Sequence, residues 1–159
     1  MIGTLDNLTL ERIPNRRYRL GTVLTIEEIP ASLESCSPHF MLLLALDASS
    51  IGNERISAIA QSLISRGLAG ISVWGPDCSR VHDLFDEERD PNETNETVVM
   101  TTWHDNEPIS EAVCYFDLCA YPAEGFEAEC SDWVAISVAN ESWKEEMRSA
   151  LIEGFEAAD

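Results

Sequence analysis

From Phe40 onward the chain alternates short apolar runs with stretches whose apolar residues recur every three or four positions. That alternation limits the possible folds more than any other feature. "MLLLAL" (residues 41–46) is continuously apolar over a strand's length, as expected where both faces of a strand are covered. "AGISVW" (69–74), "TVVMTTW" (97–103) and "DWVAISVA" (132–139) repeat the signature. Between the first two, Ile56, Ile59, Ala60, Leu63 and Ile64 share one helical face, and Gly67 supplies a C-terminal stop. Val81, Leu84 and Phe85 mark a short helix beginning near Asp77. Ile109, Ala112, Val113 and Phe116 mark another that opens at Pro108. A closing helix buries Trp143, Met147, Ala150 and Leu151, with Ser142 and Glu145 at capping-box spacing.

Parallel neighbours need helical crossovers, so four strands alternating with helices predict an α/β fold with a mostly parallel sheet. The expectation is a Rossmann-like or flavodoxin-like three-layer sandwich with about four mostly parallel strands. Residues 40–159 form this domain. Residues 1–39 form an N-terminal extension, read as an irregular hairpin or an edge strand.

The formal net charge of −19 argues against nucleic acid as a partner, because phosphate binding needs a basic footprint and the chain has ten Lys and Arg. Four of those ten, Arg12, Arg16, Arg17 and Arg19, fall within the first nineteen residues, so the remainder is more acidic still. Such charge serves solubility, docking onto a basic protein partner, or mimicry of nucleic acid. No apolar run reaches the length of a membrane span, and the N-terminus lacks a basic-then-apolar layout. The expected location is therefore the cytoplasm, with no membrane contact. Five cysteines, odd in number and without a C-x-x-C, argue against a disulfide framework or a structural zinc site.

Ligands of open parallel sheets bind beyond the carboxyl ends of the strands, where the strand order reverses. Numbering the four strands in chain order, the simplest arrangement is 2-1-3-4. It sets Asp47 and His104 across one crevice, with Asp77 and Cys78 on its flank. His104 then serves as acid or base, Asp47 orients it, and Cys78 is a nucleophile in the first turn of a helix. Asp105, Asp77, Trp74 and Trp103 are the accompanying ligand-binding candidates. Each residue also has a plain structural role: His104 bonding a loop, Asp47 accepting loop amides, Asp77 capping a helix, Cys78 inert in the core. Trp74 and Trp103 either stack as a lid or plug the end of the core, and His82 faces solvent. No dinucleotide, P-loop or nucleophile-elbow motif is present, so no cofactor is expected. "LDASS" carries Ser49 where phosphoryl-transfer sites place a second Asp. A magnesium site from Asp47 with Asp77 or Asp105 is the residual metal reading.

"WGPDC" (74–78) followed by "VMTTWHDNEPISEAVCYF" (99–116) resembles an uncharacterised bacterial family of small proteins that pairs Trp-Gly-Pro-Asp-Cys with Met-Thr-Thr-Trp-His. The resemblance spans roughly residues 40–151 and implies a bacterial protein with a compact α/β fold. It brings no reaction, cofactor or partner. Two functions follow from the residues: a non-enzymatic accessory or protein-interaction module with a basic partner, or a small enzyme or ligand-binding domain built on Asp47, Cys78 and His104.

Overall fold

The computed structural model describes residues 4–10 and 12–154. Six strands form one sheet: β1 (Asp6–Leu8), β2 (Arg17–Val23), β3 (His39–Ala45), β4 (Leu68–Trp74), β5 (Met100–His104) and β6 (Cys130–Val138). Their order is β1-β2-β6-β3-β4-β5, with β1 antiparallel to β2 and every other pairing parallel. The helices are α1 (Ile29–Ser32), α2 (Asn53–Arg66), α3 (Cys78–Glu87), α4 (Ile109–Leu118) and α5 (Glu141–Glu153), with short 3-10 turns at Ile26–Glu28 and Glu124–Glu129.

Side chains alternate across a strand, and β3 divides its apolar residues accordingly. Phe40, Leu42 and Leu44 pack with Ile29 of α1, Ile56 and Leu63 of α2, and Val81 and Phe85 of α3. Met41, Leu43 and Ala45 pack with Val113 and Phe116 of α4 and with Met147 and Leu151 of α5. This is why "MLLLAL" is apolar at every position. The steps β3 to β4 and β4 to β5 advance in one direction through α2 and α3. The step from β5 to β6 goes back through α4, and right-handed crossovers place a reversed step on the opposite face.

The expected strand order is corrected here. The four strands read from the sequence stand in the order 4-1-2-3, so β4 separates β3 from β5. The sheet has six strands because the first forty residues contribute two. β1 and β2 pair as an antiparallel hairpin, and β2 then pairs in parallel along the whole of Arg17–Val23 with β6. The reversal of strand order lies between β3 and β6.

The basic cluster near the N-terminus is turned inward. Arg12 and Arg16 bond the carboxylate of Asp117 at 2.8 and 3.3 Å, and the Tyr18 hydroxyl donates to it at 2.5 Å. Asp117 is fully buried at the end of α4. Arg17 makes a bidentate pair with Asp132, also fully buried, while Arg19 bonds the Ser35 hydroxyl. Burial pushes the Asp132 carboxyl up, but the Arg17 bonds and the Ser37 amide outweigh it and hold Asp132 below the usual range. The N-terminal arginines therefore fasten β2 to α4 and β6, and the outer surface keeps its acidic excess.

Candidate functional site

The turn after β4 is built by three residues. Gly75 has φ of 122°, and a Cβ there would lie 2.2 Å from the carbonyl oxygen of Leu46, so only glycine fits. The Leu46 amide donates to Trp74 O at 2.9 Å and the Ala48 amide to Pro76 O at 3.0 Å, which carries the β3–β4 ladder into both loops. Asp77 occupies the N-cap position of α3 in a left-handed conformation, φ 64°, and its side chain caps nothing. That conformation turns the carboxylate to Arg80, 2.8 Å away. Arg80 also donates to Asn53 Oδ1 at 2.7 Å and Ala48 O at 2.5 Å, so it staples the two loops together. The capping expected of Asp77 is thus replaced by an ion pair. In α5 the cap is Asn140, which accepts from the Trp143 amide, and not Ser142, which lies within the first turn.

The three proposed catalytic residues do not meet. Asp47 is exposed and accepts from the amide and hydroxyl of Ser49, whose hydroxyl bond above all holds its carboxyl below the usual range. It lines a cleft with Thr25, Arg55 and Asn140 beyond the ends of β2, β3 and β6. Cys78 is 1% exposed and packs with Val81 and Phe85. Burial pushes its thiol up, opposed by a hydrogen bond to its sulfur from the His104 main chain. Cys78 is therefore a thiol of the core.

His104 ends β5 with its side chain 9% exposed. Nδ1 donates to Glu107 Oε1 at 2.6 Å, and Nε2 lies 3.1 Å from the Thr102 hydroxyl, which donates in turn to Ser72 Oγ at 3.0 Å. The ring also rests 4.9 Å from that of Tyr115 on α4. Each ring nitrogen thus has a protein neighbour within hydrogen-bond distance, and the imidazole ties the turn between β5 and α4 to the strand. Asp105 lies in that turn, and Asn106 turns it with φ of 56°.

Trp74 and Trp103 point to opposite faces. Trp103 is the register partner of Val73, so it shares that residue's face, and Trp74 takes the other. Trp103 packs on His82 at 4.5 Å between ring centroids, which leaves the His82 side chain 11% exposed instead of solvent-facing. Trp74 meets Trp143 of α5 edge-to-face at 5.0 Å and donates its indole N–H to Glu107 O at 2.8 Å. Neither tryptophan stacks on the other as a lid.

What these elements enclose is a cleft of about 420 Å³ between Trp74, Pro76, His104, Asp105, Glu107 and Trp143. Across Trp74, Pro108 and Trp143 it adjoins a groove of about 700 Å³ between α4 and α5, rimmed by Glu145, Glu146 and Glu153. The cations of α5 turn away toward β1: Lys144 and Arg148 reach Asp6 at 3.4 and 3.0 Å, and Arg148 also pairs with the rim residue Glu145 at 3.4 Å. No Lys or Arg lines the groove. Trp143, Glu107 and the groove glutamates were not legible as site residues. The available signal was the string "ESWKEEM", whose acid at 146 falls on a different flank from the cations at 144 and 148, while Glu145 lies between them within 3.4 Å of Arg148. Among the described residues no group of three or more His, Cys, Asp and Glu is placed to hold a metal ion. No described helix is long and apolar enough to cross a membrane.

No curated protein matches the chain in sequence. A family model described as a domain of unknown function, DUF7684, matches residues 20–153, from within β2 to the end of α5. The chain belongs to that family, DUF7684.

Proposed function

We propose that this protein is a non-enzymatic interaction module that docks a basic segment of another protein in the acidic groove between α4 and α5. One observation carries the reading: Glu146 and Glu153, beside a Glu145 that Arg148 already pairs, stand over a floor of Trp74, Pro108 and Trp143, and no Lys or Arg is among the described residues lining the groove. A Lys or Arg side chain meets there both a carboxylate rim and indole faces for cation–π contact. The net charge of −19 steers a cationic partner toward this surface from a distance. Catalysis by Asp47, Cys78 and His104 lacks geometric support: Asp47 is held by Ser49 in another cleft, Cys78 is sealed in the core, and the His104 ring is held by Glu107. The two apolar clusters on either side of the sheet favour reading the fold as a Rossmann-like three-layer sandwich.

The test uses a fluorescently labelled hexa-arginine peptide and anisotropy titration. Glu146→Lys/Glu153→Lys is compared with Glu34→Lys/Glu54→Lys, which changes net charge equally on exposed residues away from the groove. The reading predicts at least a tenfold loss of affinity for the first pair and about twofold for the second. Equal losses in both would mean that bulk charge alone attracts the peptide, and the groove reading fails.

A further inference from the structure

We infer that the outer edge of β5 accepts an additional β-strand from the same cationic segment, whose side chains then reach the groove. The inference rests on the partner being basic, as proposed above. β5 terminates the sheet, and no described strand pairs with its outer side. Its register against β4 runs unbroken from Gly70↔Met100 to Trp74↔His104, whereas the pairings of β3 carry register shifts. Such an edge presents unpaired amides and carbonyls to any extended chain.

Natural edges are blunted by lysine, proline, bulges or short length. "MTTWH" has none of the first three and is five residues long, while β1 at the other end of the sheet has three residues. Two large apolar side chains are also left open on β5. Met100 is 43% exposed and Trp103 49%, and their positions three apart place them on opposite faces of the strand. An added strand would cover the open side of each with its alternate side chains, the usual division of labour in strand addition.

Charge decides the occupant. From Asp90 to Trp143 the chain contains no Lys or Arg. Of the cations before that stretch, Arg89 is held by Asp86 and Glu93, and Arg80 by Asp77. Carboxylates of Asp83 and Asp86 lie on α3 beside the Trp103–His82 pair, and Asp105 follows the strand. A second copy would bring the same acids against these at a charge of −19 each, so self-pairing is opposed. A segment alternating Lys or Arg with apolar residues complements both the carboxylates and the exposed rings. Five residues of strand extend about 17 Å. The carboxyl end of β5 opens at His104 into the cleft of Trp74 and Trp143, which adjoins the acidic groove.

The test follows hydrogen exchange of the isotope-labelled full chain with and without a saturating octapeptide of alternating Lys and Val. Strand addition predicts that β5 amides exchanging quickly in the free protein slow at least tenfold in the complex. It also predicts that Trp103→Lys and, separately, Met100→Lys each weaken binding at least tenfold. Peptide binding that is lost in Glu146→Lys/Glu153→Lys, with β5 exchange and both edge variants unchanged, overturns the strand inference and leaves the groove reading standing. Absence of any peptide binding overturns both. A free protein that sediments as a dimer, and becomes monomeric in Trp103→Lys, assigns the edge to a second copy and also overturns the inference.

Discussion

Replacing Gly75 by alanine tests how the loop at the head of the cleft is held. The residue has φ of 122°, where an L side chain is strained by about 1–3 kcal/mol. The new Cβ would stand 2.2 Å from Leu46 O and 3.0 Å from Leu46 C, both main-chain atoms that cannot swing aside. Relieving the overlap requires the β3 and β4 loops to part by roughly 1 Å, enough to weaken hydrogen bonds of 2.9 and 3.0 Å between them. Each is worth about 0.5–1.5 kcal/mol net. Together these give about 2–6 kcal/mol, a large part of the roughly 5–15 kcal/mol of a domain this size. Urea unfolding, followed by tryptophan fluorescence and by circular dichroism, measures it. Gly52→Ala is the control: its Cβ meets nothing within 4 Å at φ −72°, and losing a glycine N-cap costs about 1 kcal/mol or less. If Gly75→Ala unfolds within 1 kcal/mol of the parent, the account of this turn is wrong.

Three further outcomes follow from the buried charges and thiols. Asp117→Ala leaves Arg16, with 4% of its side chain exposed, without its carboxylate; a loss of about 3–5 kcal/mol in urea unfolding is expected, and one below 1 kcal/mol would contradict it. Native thiol titration should find Cys119 reacting first and Cys114 more slowly. Cys36, Cys78 and Cys130 should react only on unfolding, so rapid native labelling of Cys78 would reopen a nucleophilic role. Asp132 has its folded pKa below the ordinary 3.8, so its contribution is fully present above about pH 4 and is lost as pH falls through the folded value. The stability gap between the parent and Asp132→Asn should therefore close on acidification below pH 4, and a gap constant down to pH 2 would refute the assignment.

The parts of the fold visible in the sequence are those coded locally. The apolar run of β3, the three-and-four spacing on α2 and α3, and the glycine turn after Trp74 each announce themselves within fifteen residues. The position of β2 does not, because its pairing with β6 joins residues more than a hundred positions apart. The strand order was hidden for the same reason, and with it the separation of Asp47 from His104 by β4. Residue type alone also misjudged His104. Its partner Glu107 lies only three positions on, but the turn at Asn106 that brings them together is set by a left-handed backbone. Trp143 enters the cleft from a helix whose docking depends on α4, a tertiary contact with no local signal.

The central claim is that a cationic segment docks over Trp74 and Trp143. It is tested most directly by the indole N–H resonances of the chain's four tryptophans during titration with the hexa-arginine peptide. The account predicts saturable shifts of the Trp74 and Trp143 signals, with that of Trp133, which is 5% exposed in the core, unmoved. A peptide that binds while the Trp74 and Trp143 signals stay in place would contradict it.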